Sequence, residues 1–341
     1  MGLPPNVVDT ILNARASSTR TAYNHRWRLF DDWCTALDPQ VLAFQAPLRH
    51  ILMFLQEKID QGLSFSTIKV YLAAISACHE GFEGKTVGQH GLVRAFMEGA
   101  SNALPPNRSL FPAWDLVLVL DALCKAPFEP LESISLQVLS FKTLLLLALA
   151  TAKRVSDLQA LSVSPDLMRF SDDGKRVLLK PHHHFMPKTR VVDQSPVELT
   201  AFHPPPFNSA EDEKLNCLCP VRALRVYCQK TAAERVTNQL FVSFSRCRQR
   251  KAVARPTLSR WVVDAIKMAY TSGGVEVPAG LRAHSTRGVA SSWAISRGAS
   301  LQEICSAANW ASPSTFATFY SLDVAPLSVA HTVLGVAGPS R

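Results

Sequence analysis

The last part of the chain carries side chains that can cut a phosphodiester without a metal ion. His284 and Arg287 lie one helical turn apart, so both can face one phosphate, and Tyr320 can attack that phosphate as a nucleophile. The indole N–H of Trp310, between them in sequence, adds a further donor. Far upstream, Arg154 offers a second guanidinium group in addition to that of Arg287. Arginine forms bidentate hydrogen bonds to phosphate oxygens and keeps its charge. These residue types together predict phosphoryl transfer through a phosphotyrosine.

The elements around these residues are predicted to be helices. Arg154 follows an apolar run over 143–152 that reads as a buried helix, and it opens the next helix with Asp157 three residues on. Ser300 with Glu303 forms a capping box. Ser312 and the proline after it start the helix that is predicted to contain Tyr320. A single tyrosine on a helix more often packs in the core than acts as a nucleophile, and the His-x-x-Arg spacing is common. The prediction therefore depends on the combination of these residues and their spacing.

Charge is distributed unevenly along the chain. Residues 1–105 hold nine Lys/Arg and nine Asp/Glu, so the whole net charge of +9 belongs to the remainder. A basic domain favours a polyanionic partner, although it also serves solubility. One basic tract has no acid within it: Arg246, Arg248, Arg250, Lys251, Arg255 and Arg260. This tract is a track for DNA phosphates, a solvated loop or a nuclear import signal.

The length of 341 residues predicts two domains. Helical periodicity over 17–36, 48–59, 67–79 and 87–100 predicts an N-terminal helical bundle over 1–104. Two prolines break the pattern within 105–108, which reads as a linker. In 109–341, helices are predicted over 113–125, 133–152, 220–230 and 284–297. Strands over 176–179 and 190–192 predict a small antiparallel sheet, and 200–216 reads as a surface loop.

Several classes of protein are disfavoured by composition. The longest uncharged apolar run is about half a membrane span, and no secretory signal is visible, so the chain is expected to stay inside the cell without a membrane partner. Eight scattered cysteines favour reduced thiols. Cys217 and Cys219 lack a second pair at zinc-finger spacing, and His182–His184 reads as a solvated or phosphate-facing loop, so no metal or other cofactor is expected.

The pattern of Arg154, His284, Arg287, Trp310 and Tyr320 resembles the active site of tyrosine recombinases, the phage-integrase family, over nearly the whole chain. The sequence motifs at 284–288 and 309–312 are most similar to those of recombinases from eukaryotic DIRS-like retrotransposons. The resemblance implies a mainly α fold with a helical core-binding domain over 1–104. It also implies an α-rich catalytic domain over 109–341 with a small antiparallel β-sheet.

The resemblance also implies roles for individual residues. Arg154 and Arg287 are then the paired arginines, Asp157 orients Arg154, and Tyr320 is the nucleophile. His284 is the second-motif histidine, and Trp310 stands where the family has His or Trp. The hairpin lysine of the family, which protonates the leaving 5′ oxygen, matches Lys188, with Lys180 as the rival.

At the level of assembly, the resemblance implies a clamp around double-stranded DNA, a Holliday-junction intermediate and a homotetramer on paired sites. Lys69, on the helix predicted over 67–79, would face the major groove. Residues 322–336 either dock on a neighbouring protomer or pack on their own domain. The expected location is the nucleus for a eukaryotic element and the cytoplasm otherwise. A type IB topoisomerase and a domesticated, non-catalytic DNA-binding protein are the alternative functions.

Overall fold

The computed structural model describes residues 4–105, 109–187, 196–245 and 250–324. The chain divides into two units, Met1–Arg108 and Ser109–Arg341. Both units are mainly helical, and the second carries a small three-stranded antiparallel sheet. The predicted fold class is therefore confirmed. No helix in the described ranges is long and apolar enough to cross a bilayer.

The first unit is a helical bundle whose core includes several aromatic rings in contact. Its helices are α1 (Pro5–Leu12), α2 (Ser17–Thr35), α3 (Leu48–Asp60), α4 (Phe65–Cys78) and α5 (Gly91–Ala103). The aromatic stripe of α2 points inward: the ring of Phe30 is fully buried and meets Phe54 of α3 edge-on at 5.0 Å. Trp33 keeps a polar partner, since its indole N–H donates to Glu57 Oε2 at 2.6 Å.

The helix predicted over 87–100 is interrupted. A 3₁₀ turn covers Val87–Gln89, and α5 starts only at Gly91. His90 between them has an extended backbone, and its Nδ1 accepts the Leu92 N–H at 3.2 Å. The histidine therefore acts as an N-cap, which a continuous helix would not allow.

The second unit is built around one helix that is buried on nearly every side. Its helices are α6 (Leu116–Leu123), α7 (Leu136–Thr151), α8 (Val155–Gln159), α9 (Ala210–Cys217), α10 (Pro220–Ala232), α11 (Arg255–Ser272), α12 (Ser285–Ser296), α13 (Leu301–Ala308) and α14 (Pro313–Phe319). Helix α7 packs against α10, α11 and α12. Its apolar residues form the centre of the core, as its sequence predicts.

One cation is buried inside that core. Lys142 of α7 has no exposed side-chain surface, and its ammonium lies 2.5 Å from Glu129 Oε1. Arg222 of α10 reaches the same oxygen at 2.8 Å. Burial opposes ionisation of Glu129, but hydrogen bonds from Arg222 and Lys142 outweigh it and lower the pKa of the carboxyl. The carboxylate of Glu129 thus compensates the buried ammonium of Lys142, while the partly exposed Arg222 also donates to the same group.

The sheet has the order β1 (Met168–Phe170), β2 (Arg176–Leu179), β3 (Val197–Thr200). Both pairings are antiparallel, with Val177 of β2 opposite Phe170 and Leu199. The sequence predicts β2 at its observed bounds but misses β1 and β3. The strand predicted over 190–192 lies outside the described residues.

The loop predicted over 200–216 is wrong at both ends. Thr200 belongs to β3, and α9 covers Ala210–Cys217. Ser209 Oγ accepts the Asp212 N–H at 3.1 Å, which caps this helix. The acidic run of 211–213, read as a sign of a loop, lies in the first turn, where negative charge is favoured by the helix dipole.

Candidate active site

Arg154 is placed by a sharp exit from the buried helix α7. Ala152 caps that helix in the left-handed region at φ 47°, and Arg154 then precedes the first turn of α8. Asp157 Oδ2 accepts the backbone N–H of Arg154 at 3.1 Å, so the acid fixes the arginine through the main chain. In the described part of the chain, the buried Nη1 of Arg154 has no hydrogen-bond partner.

Arg287 is among the most buried side chains of the protein, with 2% of its surface exposed. Its Nη2 donates to the Ala308 carbonyl at 2.9 Å, whereas Nε and Nη1 find no partner among the described residues. Burial lowers the pKa of this guanidinium to about 10, and the nearby charge of Arg154 acts in the same direction. A buried cation with unused donors is a strong site for an anion.

Two aromatic rings lie beside that guanidinium. Its central carbon is 5.1 Å from the ring centre of Trp310 and 5.2 Å from that of Tyr320. The two rings stack on each other at 4.6 Å and 28°. These cation–π contacts offset part of the cost of burying Arg287.

The hydroxyl of Tyr320 forms a hydrogen bond within the same cluster. Its Oη lies 3.1 Å from Nε2 of His284, the residue that precedes α12. Tyr320 is 9% exposed. The helix predicted to contain it begins as expected at Pro313 but ends at Phe319, so Tyr320 is the first residue after α14. This places the side chain beside Arg287 and His284.

The structure therefore brings together five of the six predicted catalytic residues: Arg154, His284, Arg287, Trp310 and Tyr320. Lys188 lies outside the described residues. Its rival Lys180 directly follows β2 and has an exposed side chain.

Sequence reasoning missed Lys153. This residue is 8% exposed, and burial together with the charges of Arg287 and Arg154 lowers the pKa of its ammonium, with Asp157 opposing them. It lines an open cavity of about 770 Å³ between β3 and α13. The one signal in the sequence that could have pointed to Lys153 was its position directly before Arg154.

The predicted DNA-contacting residues have different surroundings. Arg246 and Arg248 lie outside the described residues. Arg250 forms an ion pair with Glu234 at 2.6 Å, whereas Lys251, Arg255 and Arg260 are exposed.

Arg260 lines a shallow groove of about 540 Å³, and two more cations and the candidate histidine share it: Lys267, Arg282 and His284. A positive groove thus leads to the candidate active site. In the first unit, the exposed Lys69 of α4 has its ammonium 5.0 Å from the Phe65 ring centre. Across the described ranges, no three His, Cys, Asp or Glu side chains are grouped as a metal site.

Comparison with known proteins places this arrangement in a known fold. No protein-family model matches the sequence, and no curated protein matches it either. Among solved structures, the Tn1549 transposon integrase in complex with transposon right end DNA is similar over 94% of each chain, with 12% identity and a TM-score of 0.59.

Lambda integrase is similar as well. Its dimer bound to a COC′ core site aligns over 94% of this chain and 95% of that one, with 15% identity and a TM-score of 0.53. Its tetramer bound to a Holliday junction aligns over 91% and 75%, with 14% identity and a TM-score of 0.50. At these identities the likeness establishes the fold: the second unit has the integrase catalytic fold.

Proposed function

We propose that the protein is a tyrosine recombinase that cleaves and rejoins duplex DNA through a 3′-phosphotyrosyl intermediate. One observation carries this proposal. The hydroxyl of Tyr320 lies 3.1 Å from His284 and beside the buried Arg287, whose Nε and Nη1 have no hydrogen-bond partner among the described residues. The integrase catalytic fold around this cluster supports the same reading.

In the proposed reaction, the guanidinium groups of Arg154 and Arg287 bind the non-bridging oxygens of the scissile phosphate. Both guanidiniums have unused buried donors for that purpose, and their fixed charge stabilises the negative charge that develops on these oxygens. The indole N–H of Trp310, also buried and without a partner within the described residues, adds a donor.

Tyr320 Oη attacks the phosphorus while its proton passes to His284 Nε2, and the bond to the 5′ oxygen breaks. Lys188, with Lys180 as the rival, supplies the proton that the leaving 5′ oxygen takes up. The ester bond to Tyr320 conserves the energy of the broken phosphodiester, so religation needs no ATP. In the second step, the 5′ hydroxyl of a partner strand attacks the phosphotyrosine and the tyrosine leaves.

The proposal extends to the partners. Residues 1–104 act as a core-binding domain with Lys69 toward DNA, and the basic tract from Arg246 to Arg260 contacts phosphates. A homotetramer on paired DNA sites exchanges strands through a Holliday junction, and the lambda integrase tetramer on such a junction supports this reading. The sequence motifs around His284 and Trp310 support the proposal that the protein integrates a DIRS-like mobile element in the nucleus.

A covalent-adduct assay tests the proposal. The protein is incubated with a pool of nicked suicide duplexes, denatured and resolved, and we expect a DNA-linked band with wild type and none with Tyr320→Phe. Tyr270→Phe is the matched control, because the Tyr270 hydroxyl accepts the backbone N–H of Asp115 rather than contacting the candidate site, so the variant should leave the band intact. Absence of the band on every duplex would refute the proposed enzymatic activity. Plasmid relaxation without strand exchange would favour a topoisomerase.

A further inference from the structure

Helix α12 contacts the backbone that carries Tyr320, in addition to carrying Arg287. Ser292 Oγ donates to the Tyr320 carbonyl at 3.1 Å and accepts the Leu322 N–H at 2.8 Å. One hydroxyl therefore binds the main chain on both sides of Ser321. Ser292 is 4% exposed, so these bonds are shielded from competing water.

One turn before Ser292, Gly288 allows the same segment to come close. A Cβ at Gly288 would lie 3.2 Å from the Tyr320 carbonyl oxygen and 3.2 Å from Leu322 Cδ1, which is tighter than an ordinary contact. Glycine inside a helix is otherwise unfavourable, so the close approach of the Tyr320 segment explains its presence. Gly288 and Ser292 lie four residues apart and thus share one face of α12.

The segment is held on its far side as well. Asp323 N–H donates to the Leu110 carbonyl at 2.7 Å, at the start of the second unit. Tyr320 follows the end of the short helix α14, so its backbone lacks the support of a continuing helix. Contacts from α12 replace that support at the point where the nucleophile is attached.

We propose that Gly288 and Ser292 are positioning residues that fix the Tyr320 backbone for in-line attack. This inference rests on the function proposed above. Because α12 also carries Arg287 and follows His284, one rigid element sets the distance between nucleophile and phosphate. A displacement of about 1 Å in such a geometry costs roughly 100-fold in rate.

The test compares Ser292→Ala, Ser292→Thr and Gly288→Ala with a matched control, Ser291→Ala. Ser291 is also buried, but among the described residues its hydroxyl donates to carbonyls of its own helix alone, Arg287 at 2.5 Å and Gly288 at 3.3 Å. For each protein we measure the rate of adduct formation at saturating DNA, the Kd for duplex and the Tm.

We expect Ser292→Ala to lower the saturating rate about 100-fold with Kd changed less than about twofold. Ser292→Thr should recover most of the rate, because it restores the hydroxyl. Gly288→Ala should also lower the rate, because its Cβ would press on the Tyr320 carbonyl oxygen and on Leu322. Ser291→Ala should behave like wild type.

Two kinds of result would overturn the inference. The first is a wild-type rate for Ser292→Ala and Gly288→Ala. The second is a loss of rate that Ser291→Ala shares, because a shared loss points to a general effect on the fold. A wild-type protein that forms no adduct on any duplex refutes the proposed recombinase itself, and the positioning role with it.

Discussion

The buried charge of Arg287 is expected to lower the free energy of unfolding of the protein. Burial lowers the pKa of its guanidinium from the ordinary arginine value to about 10, and each pKa unit corresponds to about 1.4 kcal/mol. Keeping this side chain charged in the folded state therefore costs about 3 kcal/mol. Because the group is a base whose folded pKa is lowered, the cost is fully present below pH 10 and shrinks only as the pH rises from there toward the ordinary pKa of arginine.

Replacing Arg287 with methionine removes that charge and keeps much of the side-chain volume. The variant loses the hydrogen bond to the Ala308 carbonyl, worth about 1 kcal/mol, and the contacts with Trp310 and Tyr320, worth about 1 kcal/mol. The remaining gain in the free energy of unfolding is about 1 kcal/mol. For a unit of this size, that is a rise in Tm of roughly 2 to 4 °C. Adduct formation should be lost at the same time.

Urea and thermal unfolding of Arg287→Met at pH 7, in a buffer without phosphate, measure the effect. Arg222→Met is the control with the opposite sign. It removes a cation that is paired with the buried Glu129 and should lower stability by about 2 kcal/mol. If Arg287→Met lowers the free energy of unfolding by 1 kcal/mol or more, the buried charge is compensated and the reasoning is refuted.

Three further predictions concern DNA binding, acid stability and helix capping. Binding to duplex DNA should weaken with salt, and Arg260→Ala should reduce the log–log slope by about 0.9; an unchanged slope in a titration would remove Arg260 from the DNA interface. The lowered pKa of Glu129 stabilises the fold above its unfolded value of about 4.5, and this stability is lost as the pH falls through the folded pKa, so Glu129→Gln should flatten the acid limb of a stability–pH curve. Ser300→Ala breaks the capping box with Glu303 and should cost about 1 kcal/mol in urea unfolding; no change would show that the cap is not needed.

Sequence patterns predicted elements that depend on local interactions. The helix over 17–36 appears as Ser17–Thr35, because its aromatic residues recur with the helical period. The capping box at Ser300 is formed as predicted, since its two hydrogen bonds join residues three apart. Arg154 at the start of α8 follows from the same kind of local signal.

Features that depend on tertiary contacts could not be predicted in this way. Strands β1 and β3 are three and four residues long, and their pairing with β2 provides the hydrogen bonds that define them. The close approach at Gly288 involves Leu322, which lies well beyond it in the sequence, and the cavity lined by Lys153 is formed together with β3 and α13. None of these contacts leaves a periodic trace in the sequence.

The candidate site is also a product of cooperative folding. Arg154 lies just beyond α7, whereas Arg287 lies on α12 and Tyr320 directly follows α14, and α7 packs directly against α12. The packing of α7 on α12 therefore brings the two arginines together. If the proposed function holds, a partly folded or clipped chain should therefore be unable to cleave DNA, because the residues of the candidate site are then not brought together.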